Sequence, residues 1–225
     1  MTAWDLHRLL AWSSPAYPTG GFSYSHGLEW AVESGAVRRL GDLQDYVVAV
    51  LARGGGWVDA VLFAHAWRSL DCPAALDELS RRAAAFRGSA ETALESRQQG
   101  AAFLAVTRNA WPHPALDSFA ARNGKAAVAH CVAVAITCAA HGIALAASLY
   151  SYLHTIAANL VSAGARLVPL GQTQAQIALA RLAPTLTAVC RQAEAASLED
   201  LGTCAPGVEM CSLRHETQYT RLFRS

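Results

Sequence analysis

The sequence predicts an all-α protein, built as a single bundle of many helices, and two features of the pattern indicate this class. Apolar residues recur at the three- and four-residue spacing of an amphipathic helix along almost all of the 225 residues. Runs of β-branched residues of strand length, bounded by turn residues, are missing. We expect one domain, residues 1–211, followed by a short C-terminal tail, residues 212–225.

Helix boundaries follow from prolines, glycines and capping residues. The pattern Thr2-x-x-Asp5 opens the first helix, residues 2–13, whose expected buried stripe is Trp4, Leu9 and Trp12. The other helices are expected at residues 25–34, 40–53, 57–69, 73–86, 89–109, 115–122, 126–141, 143–168, 172–183 and 185–195. Turns or loops are expected at Asn123 with Gly124, at 197–202 and at 203–208.

The centre of the bundle is expected to lie between residues 126 and 165, a stretch of forty residues without Asp, Glu, Lys or Arg. Two helices that meet at Gly142 and are enclosed by the others would bury it. A membrane hairpin is the alternative, since forty apolar residues could supply two spans of ~20. Fourteen of the forty are alanine, and His130, His141, His154 and Asn159 lie among them, which favours the buried pair.

Composition and charge exclude several classes of partner. The chain is 53% hydrophobic with a net charge of +1, and no run of Lys or Arg is present, so neither nucleic acid nor an acidic membrane surface is an expected partner. The first residues lack the basic and long apolar regions of a secretory signal. Six cysteines without a Cys-x-x-Cys pair fit reduced thiols, and we expect a cytoplasmic protein.

No catalytic or metal-binding pattern emerges from the reactive residues. His130, Cys131 and Cys138 share one helix, but their spacing is more typical of buried core residues than of a metal site. Ser23, Ser25 and His26 are neighbours without a nucleophile elbow. The acids Glu91 and Glu95 lie one turn apart and are expected on a solvated helix face. We expect no enzyme activity, no cofactor and no metal.

Residues 14–29, SPAYPTGGFSYSHGLE, here called the Pro/Gly loop, interrupt the helical pattern. Prolines fix φ and glycines permit positive φ, so the chain makes a stiff bend there. A helix would restart with Ser23 or Ser25 as its cap, and Glu29 would lie in its first turn. The loop aromatics either fold back onto the core or form a rigid surface for something else.

The C-terminal tail, SLRHETQYTRLFRS, is unusually apolar for a chain end. It carries Tyr219, Leu222 and Phe223 among arginines, so it either packs on its own domain or becomes ordered on a partner.

Four segments resemble the UreF family of urease accessory proteins. The first is the Pro/Gly loop, and the second is the pattern of Glu91, Ser96 and Gly100. The third is a late helix and turn with Asn159-Leu-Val and Arg166-Leu-Val-Pro-Leu-Gly-Gln172, and the fourth is the ending from Arg214 to Ser225. Ala93 stands where the second pattern usually has arginine, so any ion pair of that arginine is in doubt here.

The resemblance implies a non-enzymatic, all-α, cytoplasmic chaperone of urease maturation that is usually a homodimer. Such a protein binds the accessory protein UreD, also called UreH, and recruits the nickel-carrying GTPase UreG onto apo-urease. We expect the tail to bind the UreD-type partner, and the loop to shape the surface read by the GTPase. The residues expected to contact partners are Phe22, Tyr24, His26, Glu29, Arg214, Tyr219, Arg221, Phe223 and Arg224.

Deletion of residues 212–225 is expected to abolish partner binding and to leave the fold intact. Two rival functions stay open. A small-molecule-binding protein would need a large enclosed apolar cavity lined by Tyr24, His26 and His154. A hydrolase built on Ser23 or Ser25 with His26 would need a carboxylate that orients the histidine.

Overall fold

The structure, a computed structural model, describes residues 1–123 and 128–225, and within these ranges the chain forms helices and no strand. The all-α prediction is therefore confirmed. Two short 3-10 helices lie at Gly21–Ser23 and Leu198–Asp200. The α-helices in the described ranges are α1 Ala3–Trp12, α2 Leu28–Glu33, α3 Leu40–Arg53, α4 Gly55–Arg68, α5 Pro73–Ala85, α6 Ala90–Ala110, α7 Pro114–Asn123, α8 His130–Ala140, α9 Leu145–Leu167, α10 Gln172–Arg181, α11 Ala183–Ala195 and α12 Pro206–His215.

Most helix boundaries agree with the sequence prediction to within two residues at each end. At α1 the expected capping box is present, because the Asp5 amide donates to Thr2 Oγ1 at 3.1 Å and the Thr2 amide donates to Asp5 Oδ2 at 2.7 Å. Leu9 and Trp12 are buried, but the prediction for Trp4 is wrong, since its side chain is 66% exposed. The first turn of α1 extends past the core, and the Trp4 indole packs edge-on against His7.

The helix that follows the Pro/Gly loop begins later than predicted. Helix α2 begins at Leu28, and its N-cap is Gly27 rather than Ser23 or Ser25. The reason is backbone conformation, because His26 and Gly27 have φ values of 54° and 76°, in the left-handed region that a continuing helix does not use.

The core is centred on α8 and α4 rather than on α8 and α9. Every residue from Cys131 to Cys138 in α8 is buried, and α4 is buried almost all round. Helix α9 is amphipathic and buries one face, so the prediction that it is enclosed on all sides is wrong. Helix α8 begins at His130. The predicted start at 126 and the predicted turn at Asn123 with Gly124 extend to residues outside the described ranges.

Helix α6 packs closely against the segment that leads into α8. A Cβ atom added at Gly100 would lie 2.0 Å from the carbonyl oxygen of Val128, so only glycine fits at this crossing. The same helix carries Glu95, which contacts the Pro/Gly loop, and Glu91, which contacts the C-terminal tail.

Among the described residues, one stretch, Leu40–Arg68, is long and apolar enough to cross a membrane by length and composition alone. It consists of α3 and α4, and 67% of its most apolar window is buried inside the fold. Burial of this kind is typical of core helices.

The C-terminal part of the chain is helical further than expected. Helix α12 begins at Pro206, inside the predicted loop 203–208, and runs across the expected domain boundary at residue 211. The tail is therefore continuous with the last helix of the bundle.

Candidate functional site: the Pro/Gly loop and the C-terminal tail

The C-terminal tail lies along the Pro/Gly loop and pairs with its backbone. The Ser25 amide donates to the main-chain oxygen of Ser225 at 2.7 Å, and the Arg224 amide donates to the Ser23 carbonyl oxygen at 2.8 Å. The Ser25 hydroxyl also donates to the main-chain oxygen of Ser225. The two segments, about two hundred residues apart in sequence, thus form one surface.

Gly27 makes this close approach possible. A Cβ atom at this position would lie 2.5 Å from the backbone nitrogen of Ser212, which belongs to α12. The positive φ of Gly27 adds a second reason for glycine. Part of the Pro/Gly composition is therefore explained by contact with the C-terminal segment.

The carboxylate of Glu29 holds the C-terminal tail against α2 through hydrogen bonds. It is 6% exposed, and its carboxylate accepts hydrogen bonds from the backbone amides of Leu222 at 2.7 Å and Phe223 at 2.9 Å. Burial of a carboxylate is tolerated where such donors satisfy it. The sequence prediction gave Glu29 a role at the helix start and at a partner surface, and did not identify this anchoring contact.

His215 joins two helices through its imidazole ring. Its side chain is fully buried, with Nδ1 2.6 Å from Glu91 Oε2 and Nε2 3.2 Å from Glu29 Oε2. Both ring nitrogens of His215 therefore have a carboxylate oxygen within hydrogen-bond distance. Arg221 donates to the second oxygen of Glu91 at 2.7 Å.

Glu95 completes the cluster on α6. Its carboxylate accepts from Gln99 Nε2 at 2.8 Å and from the Ser225 hydroxyl at 3.0 Å, and it lies 2.9 Å from His26 Nε2. Burial alone would lower the pKa of His26, but the charge and the hydrogen bond of Glu95 raise it above its usual value.

The expectation that Glu91 and Glu95 lie on a solvated face is wrong. Glu95 is 7% exposed, and the side chain of Glu91 is 13% exposed. The helical spacing placed them correctly on one face of α6, but the tail that covers this face is 124 residues away from Glu91. Glu91 and His215 lie in segments that carry the family resemblance, but their contact and those of Glu95 were not predicted, because pairing over such a separation leaves no local signal.

Phe223 fills the space between the tail and α9. Its side chain is 5% exposed, and the guanidinium of Arg166 lies 4.5 Å from its ring centroid. Arg166 also donates to the carbonyl oxygen of Phe22 at 2.9 Å. The tail packs on its own domain, so its deletion would open the core here, in contrast to the expectation that the fold stays intact.

The expected partner-contact residues divide into two groups. Tyr24, Glu29 and Phe223 are buried, and His26 has a side chain that is 25% exposed. The exposed members are Phe22, Arg214, Tyr219, Arg221 and Arg224. Together with the exposed side chain of Leu222 they form the outer face of what we call the loop–tail surface.

The hydrolase arrangement is only half present. Glu95 orients His26, but the Ser25 hydroxyl points to the main-chain oxygen of Ser225. No hydrogen bond joins Ser23 or Ser25 to His26 in the part of the chain that the structure describes, so the nucleophile and base are not coupled.

A cavity of about 120 Å³ lies beneath the loop, and Tyr24 and His26 line it. His154 is not part of its lining, and the lining includes the charged side chains of Asp59 and Arg87. Arg87 donates to Asp59 at 2.7 Å and Tyr152 donates to the same carboxylate at 2.8 Å. Burial alone would raise the pKa of Asp59, but Arg87 holds it below the usual value.

On α8, Cys131 and Cys138 are buried in the core, and His130 lines the cavity beneath the loop. Burial lowers the pKa of His130 to about 4 and raises that of Cys138 to about 12. All six cysteines are free thiols. Within residues 1–123 and 128–225, no three His, Cys, Asp or Glu side chains come together in a way that could hold a metal ion.

Comparison with known proteins identifies the family to which the chain is similar. A family model described as UreF matches residues 37–183. The chain is 50% identical to a urease accessory protein UreF of Rhodopseudomonas palustris strain BisB5, over 98% of this chain and 91% of the relative. It is 50% identical to the protein of that name from Granulibacter bethesdensis, over 98% and 94% of the two chains.

These relatives cover the Pro/Gly loop and the tail, which lie outside the matched part of the family model. The relatives are named as accessory proteins, which confirms the expectation that the chain is not an enzyme. Identity near one half over almost the full length, together with the family match, shows that the chain belongs to the UreF family of urease accessory proteins.

Proposed function

We propose that this protein is a cytoplasmic nickel-insertion chaperone that acts as a scaffold in urease maturation. In this function it binds the accessory protein UreD (UreH) and recruits or regulates the GTPase UreG on apo-urease, as a homodimer. It contributes shaped surfaces, whereas nickel carriage and GTP hydrolysis belong to its partners. The observation that carries the proposal is the loop–tail surface, whose outer face is apolar and cationic and whose inner face is fixed by buried ion pairs.

The outer face has the composition of a protein interface. Tyr219 is fully exposed, Leu222 is 76% exposed and Phe22 is 59% exposed. Arg214 and Arg224 lie on the same tail and are exposed. Aromatic residues and arginine are enriched at the centres of protein interfaces, and exposed apolar groups of this size favour burial by a partner.

The inner face explains how such a surface stays preorganised. Glu29, His215 and Phe223 are buried and hold the tail against the loop, so the exposed side chains need little further ordering on binding. These three are positioning residues in our proposal, and the direct contacts come from Phe22, Tyr219 and Leu222.

The two parts of the surface suggest a division of roles. The tail, with Tyr219, Leu222 and the exposed arginines, is proposed to contact UreD. The loop, with Phe22, is proposed to shape the adjoining surface that UreG binds. Because Arg224 is hydrogen-bonded to Ser23 through its backbone, binding at the tail would affect the loop directly.

Size-exclusion chromatography with purified UreD and UreG, with and without GTP, tests the proposal. We expect this protein to co-elute with UreD, and UreG to join the complex only when both are present. Separate elution of all three proteins under both nucleotide conditions would reject the scaffold function.

A further inference from the structure

The cavity beneath the Pro/Gly loop has room for a small solute. Its volume of about 120 Å³ could hold on the order of ten water molecules or one small organic molecule. Pro15, Phe22 and Phe86 belong to its lining and are exposed, so the cavity reaches the protein surface at these residues. A concave site with aromatic walls and a few polar groups is typical of small-ligand binding.

Two side-chain amides lie beside Gly21 in this cavity. A Cβ atom at Gly21 would lie 2.8 Å from Asn159 Nδ2 and 3.5 Å from Gln99 Oε1. Gln99 Nε2 donates to Glu95, but no hydrogen bond in residues 1–123 and 128–225 engages Gln99 Oε1 or the Asn159 amide. Gln99 is only 6% exposed, and polar groups buried to this extent usually have a partner. An acceptor and an amide thus face the space that the glycine leaves open.

His130 adds a third polar group to the lining. Its backbone amide donates to Ser96 Oγ at 3.4 Å, but its partly exposed ring has no hydrogen-bond partner in the part of the chain that the structure describes. Phe103 and Tyr152 hold the ring, with centroids at 5.8 Å and 5.4 Å. Burial lowers the pKa of His130 to about 4, so at neutral pH the uncharged ring offers one donor and one acceptor.

Most charges in the lining are already paired. Arg87 donates to Asp59 at 2.7 Å, and His26 Nε2 lies 2.9 Å from Glu95. A charged ligand would have to compete with these pairs, whereas a neutral ligand would not. Glu209, on α12, also lines the cavity, and its Oε1 has no hydrogen-bond partner within the described ranges, so a cation is the alternative ligand that the experiment has to distinguish.

We propose that this cavity is a binding site for a small neutral amide, of the size and chemistry of acetamide. The ligand carbonyl accepts a hydrogen bond from Asn159 Nδ2, its N–H group donates to Gln99 Oε1, and the ring of His130 is a further partner. An amide matches this set because it carries a donor and an acceptor without a charge. The inference is independent of the proposed scaffold function and adds a ligand site to the protein.

Three molecules of nearly the same shape and different charge test the ligand class: acetamide, acetate and acetamidinium. Each is added to the isolated protein at constant ionic strength, and NMR follows the side-chain amide resonances of Asn159 and Gln99 and the ring resonances of His130. We expect only acetamide to shift them saturably, with half-saturation on the order of millimolar, because so small a ligand makes few contacts. The absence of a saturable shift with acetamide would show that water alone fills the cavity and would overturn the proposal. Tighter binding of acetate or acetamidinium would also overturn it.

Two substitutions locate the binding site. Asn159→Leu removes the amide and keeps the side-chain size, and Gly21→Ala places a methyl group against Asn159 Nδ2. Each should weaken acetamide binding by about tenfold or more, because a hydrogen bond or the space for the ligand is lost. Thr155→Val, one turn earlier on α9, is the matched control. Thr155 lines the same cavity, but its hydroxyl already donates to the Ser151 carbonyl oxygen at 2.9 Å, so this variant should bind as the unmodified protein does.

Equal binding of acetamide by the unmodified protein and all three variants would overturn the proposal. Circular dichroism of the variants should match the unmodified protein, since the methyl group of Gly21→Ala meets the end of a side chain and no backbone atom. The titration also separates this inference from the scaffold function. Binding of acetamide without binding of UreD would reject only the scaffold, and the opposite result would reject only the ligand site.

Discussion

His215 shows how a single residue can organise a surface. Its ring lies between Glu29 on α2 and Glu91 on α6, and both carboxylates have further partners in the tail, the Leu222 amide and Arg221. The imidazole ring lies between two buried carboxylates and is hydrogen-bonded to both. The tail conformation therefore depends on one buried side chain that has no exposed surface of its own.

Replacing His215 with alanine should lower the free energy of unfolding by about 2–4 kcal/mol, because two buried carboxylates each lose a hydrogen-bond partner and a cavity is left in their place. Urea denaturation followed by circular dichroism measures the change. His154→Ala, at a partly buried histidine on α9, is the control and should change stability by less than about 1 kcal/mol. Equal effects of the two substitutions would show that His215 is an ordinary core residue.

The pair of His26 and Glu95 gives the fold a dependence on pH. The pKa of His26 is raised above 6.5 in the folded protein, so its stabilising contribution is complete below 6.5 and is lost as the pH rises through the raised pKa. We expect the free energy of unfolding to fall over this range just above 6.5. The decrease should be smaller in His26→Asn, because asparagine has no titrating ring. Asparagine is chosen because it tolerates the left-handed backbone at this position.

Urea denaturation of the unmodified protein and His26→Asn at a series of pH values measures this difference. Parallel pH profiles of the two proteins would contradict the assignment of the pH dependence to His26.

At the scale of helices, the crossing of α6 and the start of α8 depends on Gly100. The carbonyl of Val128 occupies the space that a side chain would need. Helix α6 carries Glu91 and Glu95, so a displacement of α6 would move both carboxylates away from the tail.

Gly100→Ala should destabilise the protein by about 1–3 kcal/mol, because backbone must move to admit the methyl group. Gly41→Ala is the matched control, since a Cβ at that helical glycine meets no atom within 4 Å. It should be neutral or stabilising by up to about 1 kcal/mol. Thermal unfolding of the two variants compares them directly, and equal midpoints would contradict the close contact.

Helices were the part of the fold that the sequence could predict. Prolines, glycines and capping residues act within a few positions, so the capping box of Thr2 and the start of α5 at Pro73 were found from local patterns. The start of α2 at Leu28 was not predicted. His26, which has a positive φ just before this helix, is hydrogen-bonded to Tyr46 and Glu95, and these partners are distant in sequence.

The two segments of the loop–tail surface were predictable from the sequence, but their contact with each other was not. The Pro/Gly loop and the tail both departed from the helical pattern, and this composition identified them as special. Nothing local indicated that Glu29 binds the tail backbone or that Phe223 is buried under Arg166. Such contacts join residues from opposite ends of the chain, and amphipathic periodicity carries no information about them.

At the scale of the whole molecule, the loop–tail surface is the feature that distinguishes this fold from an ordinary helical bundle. Helices α4 and α8 form the centre of the core, and the Pro/Gly loop and the C-terminal tail pair with each other outside it. We therefore expect the molecule to bind partners through the outer face of this surface, and we expect His26 beneath it to have a structural role.

The most direct test is the affinity for purified UreD, measured by isothermal titration calorimetry, of a double variant with Tyr219→Ala and Leu222→Ala. Both side chains are exposed, so folding should be unaffected, and binding should weaken by about a hundredfold or more, as expected for two interface anchors. Ile177→Ala, at an exposed apolar residue of α10, is the control and should bind as the unmodified protein does. Unchanged affinity of the double variant would contradict the central claim that the loop–tail surface contacts this partner.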